Sequence, residues 1–354
     1  MRGFRTLRIR SFENFVLTKQ EPLPLFAAQI TAPSRIEIVD VPEPSLVPSG
    51  NGMKQILFQP DLTCLCGSDL PFFLRTEEQP DPQLGHSLHE MIGTVVATDG
   101  TRFKPGDRVL CVPHNQQGFF ERFAISEERA IPLDTRVPEE CALLAQPLGT
   151  AIYALKKLPT VLDKDVAIVG QGPMGQLFAG VLRNFGAREI IAIDRLESRL
   201  KNSRRMGATA TICNEREDPI AAVARITEGR MAEIVIEAVG HHDQALNLCI
   251  DLCQKGGRIL YFGVPPEHLD RVRWRDLFYK NITVHTSVDP DFRRDFPLAM
   301  RWIGEGRIDV SQVITHRYRL EEIQTAFETF RDRKDGALKV LVEFPAYRRA
   351  GSRA

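Results

Sequence analysis

Between Ala27 and Pro44 the stretch AAQITAPSRIEIVDVPEP carries two short runs of mixed apolar and polar residues, which predict two strands closed by Pro42 and Pro44. Strand-like runs continue to about residue 145, with turns at Gly100, Pro105-Gly106-Asp107 and Gly118. A mainly antiparallel β domain is expected there. From Asp165 the period changes: the apolar runs VAIVG, EIIAID, EIVIEAVG and GRILYFGV are separated by stretches of helical periodicity, the first two ending near Leu182 and Met206. Apolar strands alternating with helices predict right-handed βαβ units and a doubly wound parallel sheet covered on both faces. Beyond Asp289 the pattern predicts a helix around Pro297–Ile303, a strand near Val313–Tyr318, a helix over Leu320–Phe330 and a final strand, LKVLVEF. That tail is too short to fold alone and is expected to return to the first domain.

Composition narrows the classes of function. Of the 354 residues, 43% are apolar, enough for a large core, and 46 basic residues balance 46 acidic ones. No global field favours nucleic acid or a membrane surface. No run approaches the roughly 20 apolar residues that a membrane span requires. The seven cysteines are scattered rather than set in a disulfide framework, so a reducing cytoplasm is the expected location. Arg2, Arg5, Arg8 and Arg10 suggest a transit peptide, but Glu13 and Glu21 interrupt them, and residues 1–26 are read as an N-terminal extension.

Candidate chemistry begins at Gly170-Gln171-Gly172-Pro173-Met174-Gly175, which follows VAIVG and opens a helix. Gly170 permits a tight turn, Gly172 close approach of a pyrophosphate, and Gly175 close packing of helix on strand, with the helix N-terminus facing the anion. EIIAID ends at Asp194, 19 residues past Gly175, near the ~20 expected of an acid that binds the adenosine ribose diol. A carboxylate there favours NAD over NADP, while Arg195 and Arg199 leave a route for a 2′-phosphate.

Cys66-Gly67-Ser68-Asp69 lies before Pro71, and His89-Glu90 follows 23 residues after Cys66 in HEMIGTV. Thiolate, imidazole and carboxylate suit zinc, and three ligands with an open position mark a catalytic site. CGSD, HExxGxV, GDRV (Gly106–Val109) and GxGxxG with its following acid, in this order, resemble the zinc-containing medium-chain dehydrogenase/reductase family of alcohol and polyol dehydrogenases. The resemblance covers about residues 27–345. It implies an α/β chain with a GroES-like, mainly antiparallel catalytic domain (27–146 and 289–346), a Rossmann cofactor domain (147–288) and a basic tail (347–354). It also implies that Cys66, His89 and Glu90 hold one catalytic zinc. Ser68 would accept the substrate hydroxyl proton and Asp69 would orient His89. Thr150 and Met174 would lie beside the nicotinamide, with Pro173 in the cofactor turn and Lys339 at the pyrophosphate.

Several positions depart from the family pattern. Residues 112–140 contain no cysteine, so no structural zinc is expected. Leu88 stands where a glycine usually precedes the His-Glu pair, and Gly85-His86 offers a competing alignment that lacks the glutamate. Pro71 replaces a relay histidine, and Gln146 stands where polyol dehydrogenases carry a glutamate. Gln146 is read as a neutral group lining the zinc pocket, or else as a helix-start residue. The expected activity is hydride transfer between a secondary alcohol (a polyol, sugar alcohol or cyclitol) and NAD, by a homodimer or homotetramer. The competing readings are a zinc-free NADPH-dependent enone or quinone reductase and a non-catalytic nucleotide-binding protein.

Overall fold

Strand β1 (Leu25–Ala32) pairs antiparallel with β2 (Arg35–Val41), the hairpin expected around AAQITAPSRIEIVDV. The structure, a computed structural model, describes residues 25–46, 52–240 and 243–347; the expectations for residues 1–24 and 348–354 lie outside the described residues. Next come β3 (Gln55–Cys64), β4 (Glu90–Thr98), β5 (Arg108–Cys111), β6 (Phe123–Ser126) and β7 (Ala130–Pro132). They pair antiparallel as β3 with β4, β4 with β5, β5 with β7 and β3 with β6. In GDRV, Arg108 ties three elements together. Its guanidinium bonds the buried Asp61 on β3, Thr94 on β4, and Glu139 at 2.7 Å in the helix Glu139–Leu143. Charge-assisted pairs of this kind fix geometry more than they add stability.

The parallel sheet holds β8 (Asp165–Val169), β9 (Glu189–Asp194), β10 (Ala210–Cys213), β11 (Ala232–Glu237), β12 (Cys253–Tyr261) and β13 (Thr283–Thr286). Their order is β10-β9-β8-β11-β12-β13, so β8 has β9 on one side and β11 on the other. Order reverses at β8, and its carboxyl end is where a ligand crevice forms in such sheets. The strands β8, β9, β11 and β12 match the four apolar runs. The two edge strands, ATIC and TVHT, were not expected, because four-residue edge strands bury too little to show an apolar run.

The closing segment forms β14 (Ile314–Arg319) and β15 (Lys339–Glu343), and β15 pairs antiparallel with the end of β3. The helix Ala145–Leu155 runs across the expected 146/147 junction. It joins one apolar cluster that takes Leu62 and Ile92 from the β3–β4 sheet and Val166 and Ile168 from β8. Both sheets therefore share one core. Among the described residues no helix is long and apolar enough to cross a membrane.

Candidate metal and dinucleotide sites

Strand β3 ends at Cys64, and a single 3-10 turn, Gly67–Asp69, follows Cys66. Strand β4 begins at Glu90, directly beside it in the register Cys64↔Glu90. Ligand atoms of Cys66, His89 and Glu90 lie within 4.8 Å of one another, and His86 is not among them. The His86 ring packs on Phe72 instead, with centroids 3.9 Å apart. Two buried polar atoms here, His89 Nδ1 and Ser68 Oγ, have no hydrogen-bond partner. Thiol, imidazole and carboxylate gathered within that 4.8 Å span offer the lone pairs that a zinc ion takes, so the residues present fit it. Burial opposes a charge on His89, but the hydrogen bond to and charge of Cys66, with Asp69 and Glu90, push its pKa up to about 9. Zinc binding at neutral pH would therefore displace a proton from this ring.

Asp69 is fully buried, and its hydrogen bonds go to the neighbouring turns rather than to the ring. One oxygen accepts from Cys66 N at 2.8 Å; the other accepts from Ser87 Oγ at 2.8 Å and Leu88 N at 3.0 Å. His89 Nδ1 is 3.9 Å from that carboxylate, beyond hydrogen-bond length, so Asp69 acts on the ring through its charge rather than a direct bond. Ser87 and Leu88 have φ of 102° and 64°. For a buried leucine the left-handed region costs about 1–2 kcal/mol. The Asp69 bonds and the apolar seat of Leu88 beside Phe73 and Met91 hold that strain in place. This explains why a glycine is the usual residue there, and how the chain does without one.

Glu90 is 1% exposed and does not stand free. Lys339 Nζ, also 1% exposed, bonds both carboxylate oxygens at 2.6 and 2.5 Å, and the Cys64 thiol donates to Oε2 at 2.7 Å. The expectation that Lys339 reaches the cofactor pyrophosphate is corrected by this geometry: its ammonium lies under the metal cluster, and its remaining bond goes to Leu65 O. Burial disfavours the Glu90 carboxylate, but the charges of Lys339 and His89 hold its pKa below the usual range. Burial and the Glu90 charge push the Cys64 thiol well above its ordinary value, so it remains a donor.

At the other sheet, Gly170 has φ 94° at the end of β8, and Gly172 caps the helix Pro173–Asn184. A Cβ on Gly175 would stand 2.0 Å from Gly170 O, so helix and turn touch backbone to backbone. Gly175→Ala is therefore expected to displace the turn and weaken binding of a dinucleotide about tenfold or more while both sheets persist. Calorimetric titration with NAD alongside circular dichroism checks this; an unchanged Kd would contradict it. Asp194 Oδ2 accepts from Gln171 N at 2.7 Å and Oδ1 from Leu196 N at 2.9 Å, which fixes the carboxylate at the tip of β9. Arg199 approaches it to 3.7 Å, whereas Arg195 is 61% exposed and leans toward Glu215.

Sequence reasoning missed the struts of this turn. Gln171 Nε2 donates to Ile168 O and its Oε1 accepts from Ser203 Oγ, while Gln176 Nε2 bridges Gln171 O and Arg199 O. Gln171 sits where the glycine motif allows any residue and Gln176 lies just past it, so only their complete burial marks them. Thr150 Oγ1 donates to Gln146 O within the helix Ala145–Leu155. Gln146 is 8% exposed in the first turn of that helix, and its side-chain amide makes none of the hydrogen bonds found among the described residues.

Comparison with known proteins bears on this arrangement. The zinc-binding dehydrogenase family model matches residues 173–305. The chain is 32% identical over 205 residues to an L-threonine 3-dehydrogenase of Bacillus licheniformis, covering 58% of this chain and 59% of that protein. An L-threonine 3-dehydrogenase of Aeromonas hydrophila is 28% identical over 341 residues, covering 87% of this chain and 96% of the relative. Among solved structures, an alcohol dehydrogenase from Thermus sp. ATN1 superimposes with a TM-score of 0.76 at 25% identity, over 90% of this chain and 99% of the other. These likenesses run through both sheets, and the chain is similar to zinc-binding dehydrogenases over most of its length.

Proposed function

We propose that the protein is a zinc-dependent dehydrogenase that transfers a hydride between a secondary alcohol and NAD. The observation that carries this reading is the convergence of Cys66, His89 and Glu90 within 4.8 Å, in a chain that also folds a glycine turn ending beside Asp194. Cys66 and His89 would hold one zinc per chain, with Glu90 within reach as a third group. Zinc supplies Lewis-acid stabilisation of charge developing on the substrate oxygen, and NAD supplies the hydride acceptor.

The chain's own residues would do the rest. Ser68 Oγ, buried and without a partner, takes the hydroxyl proton. Pro71 has no proton-carrying group in its side chain to pass it on, so the proton leaves through cofactor ribose or water. Asp69 holds the Cys66 turn and the Ser87-Leu88 turn at fixed separation. Thr150, Met174 and Gln146 would face the nicotinamide and the substrate. The N-terminus of the helix Pro173–Asn184 would meet the pyrophosphate, and Asp194 the ribose diol.

Two relatives are named for the oxidation of threonine at carbon 3, which is a secondary alcohol like those of polyols and cyclitols. L-threonine therefore joins polyols, sugar alcohols and cyclitols as a substrate candidate. A screen of NADH formation over these alcohols tests the proposal: reduction of NAD by at least one supports it. NADPH-dependent reduction of enones without zinc, or cofactor binding with no turnover on any of them, would overturn it.

Asp194 is expected to set the preference for NAD. A unit charge about 4 Å from a 2′-phosphate opposes it by roughly 4 kcal/mol at intermediate dielectric, less what Arg199 neutralises. Asp194→Ser should narrow the NAD-to-NADP ratio of kcat/KM by about tenfold or more, with Arg199 then free to pair with the phosphate. An unchanged ratio would mean that another residue reads the ribose.

A further inference from the structure

The helix Pro173–Asn184 starts at the glycine turn and ends on the opposite edge of the parallel sheet, roughly 18 Å away for twelve residues at 1.5 Å each. From there the chain enters the amino end of β9, as the helix Glu197–Arg205 leads to the amino end of β10. Between these two helix ends and the segment 307–309, which runs toward β14, lies a cavity of about 480 Å3. Small-molecule sites span roughly 300–1,000 Å3. Four arginines line the cavity, Arg183, Arg204, Arg205 and Arg307, against one carboxylate, Asp309. Arginines near a helix C-terminus ordinarily answer its partial negative charge, about half a unit per helix, and the cations here exceed that. Arg183, Arg204 and Arg205 form no ion pair among the described residues, and the Arg204 guanidinium bonds only the Thr211 hydroxyl, at 2.7 and 3.1 Å. Asp309 is already engaged: its oxygens accept from Ser311 Oγ, Gln312 Nε2 and Ser311 N, which hold its pKa below the usual range. Arg307 pairs with Glu305 at 2.6 Å. The walls are tied together, since Asn184 Nδ2 donates to Arg307 O at 3.0 Å and a Cβ on Gly207 would stand 3.0 Å from Arg183 Cβ.

We propose that this cavity binds a small molecule carrying a chain of two or more phosphates, at a site separate from the dinucleotide crevice. Guanidinium forks take phosphate oxygens in pairs, and three unpaired forks around one cavity suit a di- or triphosphate chain. A molecule seated there would touch both helix ends and the segment 307–309 at once. The site lies across the sheet from the glycine turn and depends on neither the metal nor the dehydrogenase reading.

The probes are inorganic triphosphate and ATP, titrated calorimetrically into the full-length protein with and without saturating NADH. Three forms are compared: wild type, the double variant Arg183→Gln with Arg205→Gln, and a control, Arg216→Gln with Arg225→Gln, which removes the same charge outside the cavity. All four substitutions fall on exposed side chains, so the fold should persist. One triphosphate per chain should bind the wild type whether or not NADH is present. Losing the charge-assisted bonds of two guanidiniums should weaken that binding at least about tenfold in the cavity variant, and the control should stay within about twofold of wild type. ATP binding about tenfold tighter than the inorganic chain would show that the cavity also reads a nucleoside, and equal affinity that the phosphate chain alone is recognised; either result supports the proposal. No binding to the wild type, or equal binding in all three forms, would overturn it. So would competition by NADH, which would place the anion at the glycine turn.

Discussion

Cys66→Ser is expected to abolish metal retention and lower kcat/KM by about a thousandfold or more, while the Kd for NAD changes by less than about twofold. Serine fills nearly the same volume, but its hydroxyl does not ionise near neutral pH and is a poor zinc ligand. Cys66 sits two residues past the end of β3, whereas the glycine turn and Asp194 belong to β8, β9 and the helix between them. Metal analysis of the dialysed variant, a kinetic assay and an NAD titration give the three readouts. Equal loss of NAD binding would show that the two sites do not act separately.

The second large effect is expected at Lys339. Burial works against its ammonium, but the charge of Glu90 and the bond to it hold its pKa well above the usual lysine range. The pair with Glu90 is therefore ionised at neutral pH. Lys339→Met strands a buried carboxylate and should cost about 3–5 kcal/mol in urea unfolding. Adding Glu90→Gln should recover most of that loss, because a neutral pair no longer leaves a charge uncompensated. The pH dependence has a definite sign. A carboxylate with a depressed folded-state pKa contributes stability that is present above its unfolded value and lost as pH falls through the folded value. The gap between wild type and Lys339→Met should therefore be full near pH 7 and shrink below about pH 4. A Lys339→Met protein as stable as wild type at pH 7 would contradict the buried-pair account.

How much of the fold and site was legible in the sequence depends on how local each signal is. Cys66, His89, Glu90 and the glycine turn stand in short segments whose spacing carries the chemistry, and the alternation of VAIVG, EIIAID and EIVIEAVG with helices carries the parallel sheet. The role of Lys339 was misread because its partner lies 249 residues away, brought close only by the pairing of β15 with β3. The bonds of Asp69 to Ser87 and Leu88 were not legible, because they depend on two left-handed residues that no propensity announces. Cys64 reads as an ordinary core residue at the end of an apolar strand, and only its register against Glu90 shows otherwise. The edge strands β10 and β13 escaped for the opposite reason, since their sequences are too short and too polar to stand out.

The central claim is that a zinc held by Cys66 and His89 is required for oxidation of a secondary alcohol by NAD. Its most direct test measures zinc content and NADH formation on the same sample before chelation, after chelation, and after zinc is returned. The account predicts one zinc per chain, loss of NADH formation with the metal, and recovery on adding one equivalent of zinc. Undiminished NADH formation by fully metal-free protein would contradict it.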